Sequence, residues 1–320
     1  METAEGRNQT PISEFILLGF GNGPELQPLL FMLFLVIYLM TVVGNLLIVV
    51  LVVTDRHLHI PMYFFVGNLS WLETCYSSTI LPRLLDSLLT GGRTVSIKGC
   101  IVQLYFFGVL SSTENMLLAA MSFDRYIAIC HPLRYASLMT SRVCCWLVAG
   151  AWLGSFLLST IVDSLMFQLT FCGSKEIDHF FCDFSPIIKL SCSDTRTLEL
   201  VTFVVAAVGS IVPFLLPPIS YFFIITTIVR IPSSTGRKKA FSTCSSHLIV
   251  LVVLYVTTIT VYLVPTANTP KVVHKIFSVF YTVLTPLINP VIYSVRNKEV
   301  SESLRRVVLK LSDFENRQRI

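Results

Sequence analysis

A chain of 320 residues is long enough for two soluble domains, but 53% of its residues are hydrophobic, only 13% are charged and its mean hydropathy is +0.72. A water-facing surface needs about a quarter of its residues charged, so a soluble protein is excluded and lipid is the solvent for most of the chain. The formal net charge of +5 gains meaning once it is divided between the two sides of a bilayer.

The first 28 residues carry Glu2, Glu5, Glu14 and Glu25 and no apolar core before Leu29, so no cleavable signal peptide is read there and the first apolar run serves as the targeting signal. The sequon Asn8-Gln9-Thr10 is a candidate glycosylation site in this segment. A helix crossing hydrocarbon needs about 20 mostly apolar residues to satisfy its backbone. Seven such runs follow, at roughly 29–53, 61–86, 98–130, 143–166, 198–229, 241–264 and 273–295. The reading is an all-α membrane protein, a seven-helix transmembrane bundle.

The first run contains Gly44-Asn45. The second opens with PMYFF at 61–65 and carries Glu73, together with a sequon at Asn68 that lies within the membrane and is therefore inert. The third begins near Cys100, carries Glu114 and ends in MSFDRYIAIC at 121–130, where Asp124 and Arg125 are either a snorkelling helix-end pair or a functional one. After the fourth run comes the longest outer segment, about 167–197, with Cys172, Cys182 and Cys192. The fifth is interrupted by Pro213 and carries Tyr221. The sixth opens with KAFSTCSSH at 239–247, and the seventh contains PLINPVIY at 286–293. Beyond it, Val300, Leu304, Val307, Val308 and Leu311 recur at helical spacing opposite Lys298, Arg305, Arg306 and Lys310, the pattern of a short amphipathic helix on the inner leaflet.

Orientation follows from the basic residues. With the N-terminus outside, the cytoplasmic side holds 15 basic and 6 acidic residues and the outer side 9 and 11, which is +9 inside and −2 outside. Glu73 and Glu114 complete the total. Cys100, Cys172, Cys182 and Cys192 then lie on the oxidising side, where four cysteines allow three connectivities, while Cys130, Cys144, Cys145 and Cys244 face the reducing compartment. No internal repeat of the kind found in transporters is visible.

Taken together, Gly44-Asn45, PMYFF, MSFDRYIAIC, KAFSTCSSH and PLINPVIY resemble the olfactory (odorant) receptor family of class A, rhodopsin-like G-protein-coupled receptors, over nearly the whole chain. MSFDRYIAIC is similar to the family's MAYDRYVAIC, and the three-cysteine outer segment and short 265–272 loop resemble its tetrapod-type class II subgroup. The resemblance implies disulfides Cys100–Cys182 and Cys172–Cys192. It also implies a switch in which Arg125 is held by Asp124 when inactive and released toward a G protein when active. Tyr126, Tyr221, His247, Asn289, Pro290 and Tyr293 complete that inner group, with Tyr221, Tyr293 and His247 as exchange partners for Arg125.

Glu73 and Glu114 lie at one depth, roughly 16–18 Å from the inner face at 1.5 Å per residue, so both stay charged only if a cation lies between them. A sodium ion, implied by the family, and a shared proton are the two candidates, with Asn45, Ser70, Asn115 and Asn289 as neighbours. The family usually carries Asp where this chain has Glu73. The prolines Pro213, Pro286 and Pro290 shape helices, and Pro290 beside Asn289 and Tyr293 reads as a hinge.

The ligand cavity is expected in the outer half, between Phe107, Gly108, Ser111 and Ser112 of the third helix, Val205, Ala206 and Gly209 of the fifth, and Tyr255, Thr258, Ile259 and Tyr262 of the sixth. These residues form an apolar wall with a few hydroxyls and no charge, which suits a small neutral organic molecule. The expected partners are an odorant, a stimulatory (olfactory-type) heterotrimeric G protein acting through cAMP, and membrane lipid, with no nucleic acid. The expected location is the plasma membrane, with no cofactor besides sodium as a candidate modulator. The competing classes are an ion- or proton-coupled transporter or channel using Glu73 and Glu114, and an intramembrane hydrolase, for which no nucleophile elbow or metal motif exists. The resemblance therefore points to a receptor and not to an enzyme.

Overall fold

The structure, a computed structural model, describes residues 12–21, 23, 25–172, 174–262, 271–295 and 299–307; the side chains of Tyr262 and Tyr293, and all of Asn8, lie outside the described residues. Seven long helices form the bundle: Leu26–Thr54, Pro61–Thr90, Ile97–Cys130, Ser141–Met166, Arg196–Arg230, Ser234–Tyr262, and a seventh running from Lys271–Val279 through a wide turn at Phe280–Leu284 into Thr285–Val295. A helix over 299–307 follows. These are called the first to eighth helices below.

Local chemistry sets several ends. Pro61 starts the second helix at a position whose N–H would have no partner, and Gly91 ends it at φ 72°, a conformation that costs a glycine nothing. Ser96 caps the third helix by accepting the Gly99 N–H at 3.1 Å, and Thr140 caps the fourth through Val143.

The third helix is the hub, packing against the second, fourth, fifth and sixth. This explains a departure from simple hydropathy. Among the described residues, four helices are long and apolar enough to cross a membrane by composition alone, and a fifth counts only if the two parts of the sixth, bent by 44° between Ser242 and Cys244, are joined. The second and third helices fall short because they bury polar side chains against protein, Ser70, Glu73, Ser77, Thr113, Glu114 and Ser122 among them. The opposite case is the first and fifth helices, which present Leu29, Val43, Val53, Phe203 and Phe222 at 64–71% exposure, tolerable only in lipid.

The prolines free carbonyls that other helices then satisfy. Pro290 has no N–H for the carbonyl of Pro286, which accepts instead from Asn45 Nδ2 of the first helix at 3.1 Å. Gly44 lies at the same approach, where a Cβ would stand 3.4 Å from Pro290, in van der Waals contact. Pro217 likewise frees the carbonyl of Pro213, which the Tyr255 hydroxyl of the sixth helix caps. Asn45→Ala would leave the buried Pro286 carbonyl without its donor, a loss of about 1–3 kcal/mol. An unchanged melting temperature of the purified variant would contradict this bond's role.

In the seventh helix the irregularity lies about two turns outward of the hinge expected at Pro290. Over Phe280–Leu284 the winding widens so that the Thr285 N–H reaches the Phe280 carbonyl, and the Thr285 hydroxyl adds a bond of 3.1 Å to the same oxygen. Pro286 follows at once and has no N–H to continue the regular ladder.

Although the fold is helical, the outer face carries a three-stranded sheet in the order β2-β1-β3, from Glu14–Leu17 (β1), Thr94–Ser96 (β2) and Glu176–Ile177 (β3). Period-2 alternation buries Phe15 and Leu17 over a small core with Cys100, Ile177 and Cys182. Two disulfides fasten this cap, Cys100–Cys182 with Cα atoms 5.5 Å apart and Cys172–Cys192 with Cα atoms 5.9 Å apart. At the inner face, Asp55 accepts from Ser303 at 2.6 Å, Arg306 at 2.7 Å and the His57 N–H at 3.0 Å, tying the eighth helix to the first turn. These donors hold the Asp55 carboxyl well below the usual carboxylate range.

His179 of the cap is buried, packed against Phe180 at 4.7 Å and Phe181 at 4.6 Å, with Nε2 3.3 Å from the Ser278 hydroxyl. His274, Lys275 and Asp178 are the charged and titratable groups around it. Burial, then His274 and Lys275, push its pKa down to about 3. A depressed histidine favours the folded state only while neutral, so this stability is complete at pH 7 and falls as pH drops below the unfolded value near 6.5. At pH 5 about 2 kcal/mol is lost. Comparing melting at pH 7 and pH 5 for wild type and His179→Gln checks this, because equal pH sensitivity in both proteins would exclude His179 as the source.

Candidate functional site

Three buried constellations lie along the third helix. The outermost is a cavity of about 600 Å³ between the third, fourth, fifth, sixth and seventh helices. Phe107, Gly108, Ser111 and Ser112 line it from the third helix, Val205, Ala206 and Gly209 from the fifth, and Thr258 from the sixth. Gly108 packs close to the fourth helix, where a Cβ would come 3.3 Å from the Ser159 hydroxyl.

Three expectations for this wall are corrected. Tyr255 does not line the cavity, because its hydroxyl is spent on the Pro213 carbonyl and its ring stacks on Phe214 at 5.2 Å. Ile259 is 43% exposed on the outer flank of its helix, one residue round from Thr258, which faces in. The wall is also not free of charge, since Asp163 from the fourth helix and Asp183 from the outer loop are both among its residues. The fourth helix offered no intramembrane charge to attract notice, because Asp163 sits close to its outer end, and Asp183 belongs to a loop brought over the bundle by the Cys100–Cys182 bond and the pairing of β3 with β1. Tyr281, another residue that spacing did not reveal, closes the floor, its hydroxyl bonded to Ser111 and its ring against Tyr76 and Phe107.

Below the floor lie Glu73 and Glu114, at 0% and 2% exposure, with their side chains in mutual hydrogen-bond reach. Asn289 donates to Glu73 Oε1. The other expected neighbours divide their capacity: Asn45 Nδ2 serves Pro286, Asn115 Nδ2 serves the Ser111 carbonyl at 2.7 Å, and Ser70 is buried on the second helix. The amide oxygens of Asn45 and Asn115 and one oxygen of each carboxyl remain without a hydrogen-bond donor.

At the inner end Arg125 binds Asp124 through Nε at 3.0 Å and Nη2 at 2.7 Å. Asp124 is fully buried, and its second oxygen accepts from the Tyr135 hydroxyl at 2.8 Å. Tyr135 lies 11 residues on, in a loop that folds back, so no periodicity marks it. Among the expected exchange partners, the Tyr221 hydroxyl lies 2.9 Å from His247 Nδ1 and donates to the Cys244 carbonyl at 3.2 Å, joining the fifth helix to the sixth. Tyr126 turns aside to His131 at 3.1 Å and packs near Phe223. Asn289 and Pro290 sit with Glu73 and Gly44 rather than with Arg125.

The family model for olfactory receptors matches residues 34–311. Human olfactory receptor 1M1 is 46% identical over 304 residues, covering 95% of this chain and 97% of its own length. Human olfactory receptor 6C75 is 47% identical over 305 residues, covering 95% and 98%, and mouse olfactory receptor 1E16 is 45% identical. The crystal structure of squid rhodopsin has the same fold, with a TM-score of 0.68, 17% identity and coverage of 91% of this chain and 87% of its own. With the family matched over most of its length and the rhodopsin fold carrying a buried Asp124–Arg125 pair at the inner end, this chain belongs to the olfactory receptor family and is a multi-pass membrane protein.

Proposed function

We propose that this protein is a plasma-membrane odorant receptor that binds a small, mostly apolar organic ligand in the outer cavity and activates a stimulatory, olfactory-type G protein, raising cAMP. The observation that supports this most is a single rigid helix serving both ends. The third helix lines the cavity from Phe107 to Ser112 and ends at the Asp124–Arg125 pair, about 37 Å along its axis from Cys100.

A ligand shifts such a two-state bundle only by its differential affinity for the active state. Contact with Ser111 competes with the Tyr281 hydroxyl, so occupation of the floor loosens the third helix from the seventh next to the carboxyl pair. At the inner end, release of Arg125 and outward movement of the sixth helix around Lys239 to His247 would open a crevice for a G-protein helix. The basic inner loops favour anionic lipid and an acidic partner surface.

Glu73 and Glu114 hold one positive charge in this reading, a sodium ion or a shared proton. Melting of the purified receptor in sodium chloride against choline chloride at equal ionic strength separates the two. A sodium-specific rise lost in Glu114→Gln supports the ion, and no difference supports the proton.

The overall test is an odorant panel read by cAMP in cells with the receptor confirmed at the surface. A concentration-dependent rise to a subset of small odorants is expected. Silence across a broad panel, with ion flux from the purified protein in liposomes, would return the transporter reading.

A further inference from the structure

The ground for a neutral ligand was a wall without charge, and the cavity does not have one. We infer that the cavity is built for a ligand carrying a protonated amine on an apolar body, with Asp163 and Asp183 as its carboxyl anchors. The inference rests on the reading of this cavity as the ligand site.

The two carboxyls differ from the other buried acids of the bundle. Asp124 is matched by Arg125, and Glu73 and Glu114 reach one another, but among the described residues neither Asp163 nor Asp183 has an ion-pair partner. Asp163 is only 7% exposed, and its Oδ1 has no hydrogen-bond donor. Asp183 is 4% exposed and accepts the Phe184 N–H at 2.8 Å through Oδ1. Among the described residues the lining contains no lysine, arginine or histidine. His274 of the seventh helix is the titratable group that acts on Asp183, and Lys275 is already engaged with Asp178 at 2.5 Å and with the Gly19 carbonyl at 2.8 Å.

An unpaired carboxyl in so apolar a setting is costly unless a donor or cation meets it. For Asp183, burial pushes the carboxyl above its ordinary range, against the Phe184 N–H bond and His274, which act to lower it. A primary ammonium supplies three N–H donors and a full positive charge. The rest of the wall suits the remainder of such a molecule. Leu104, Leu158, Val162 and Val205 provide apolar contact, and the rings of Phe107 and Phe214 add faces that attract a cation. A carboxylic acid would meet two carboxyl groups and, among the described lining residues, no cation to pair with.

The test uses the full-length receptor purified into nanodiscs. The probes are hexylamine, octylamine and 2-phenylethylamine, the matching alcohols hexan-1-ol, octan-1-ol and 2-phenylethanol, and hexanoic and octanoic acids, with melting temperature followed against concentration. At least one amine is expected to raise the melting temperature at a concentration tenfold or more below that of its alcohol, with no effect from the acids. Asp163→Asn, which keeps the shape, should narrow that preference to under threefold. Asp183→Asn, which keeps the N-cap, should also narrow it and provides a second variant if the first does not fold. The inference is overturned if the alcohols equal or surpass every amine, if no amine acts, or if both variants keep the full preference. Parallel cAMP readout separates the two claims. Amine binding without cAMP leaves the anchors standing and sinks the signalling reading, whereas a cAMP response confined to neutral odorants does the reverse.

Discussion

Arg125→Ala is expected to abolish the odorant-driven cAMP response, a loss of at least a hundredfold in potency or of the whole response, while ligand-induced stabilisation of the purified protein persists. Among the described residues the guanidinium is the one permanently charged group buried at the inner end of the bundle, and its forked donors can exchange the Asp124 carboxylate for an acceptor on a partner. Alanine removes that capacity and leaves the outer cavity, about 20 Å or more away along the helix, untouched. Deleting half of a buried pair also leaves a charge behind, a cost of about 3–5 kcal/mol when nothing else compensates. Here the Tyr135 hydroxyl still donates to Asp124 at 2.8 Å, so the variant is expected to melt lower but to fold. Normalising cAMP to surface density and measuring ligand-dependent melting separates the two effects. Full signalling from a well-expressed Arg125→Ala receptor would remove this residue from the switch.

Breaking the Cys100–Cys182 bond, by changing Cys100 to Ser, is expected to be the most damaging single loss to the fold. The bond closes 82 residues, and in a flexible chain the entropy of that closure corresponds to about 4.5 kcal/mol. Helices already inserted in the bilayer restrict the unfolded chain, so about 2–4 kcal/mol is the expected cost. The bond also positions Asp183, the next residue, at the cavity, and it anchors the outer loop above Phe107 through the Phe181 ring at 5.1 Å. Surface delivery should therefore fall several-fold, and whatever reaches the surface should respond weakly. The Cys172–Cys192 bond, closing only 20 residues, should cost less when removed. A Cys100→Ser receptor with normal surface density and unchanged odorant potency would contradict both parts.

The class of the molecule could be read along the chain because hydrophobicity, charge and motif spacing are properties of neighbours. Asp124-Arg125 and Pro286 to Tyr293 are such cases, and so is the shared depth of Glu73 and Glu114, which follows from helical rise alone. Tyr135 was not legible, since it reaches Asp124 through the folding of a loop. Tyr255 and Ile259 were misassigned because helical spacing names a face without saying which neighbour that face meets. Thr258 turns inward, while Tyr255 is drawn to a carbonyl freed by a proline on another helix.

By itself, then, the sequence determined a membrane bundle of seven helices, its orientation, its family and which cysteines could oxidise. Only the tertiary structure decided which outer cysteines meet, that Asn45 caps Pro286 across 241 residues, and that Asp163 and Asp183 share one cavity. The physical reason is that transfer into lipid is additive over a local stretch of chain. Hydrogen bonds and buried charge are instead settled pairwise between groups that come within about 3 Å of each other only after the helices have packed.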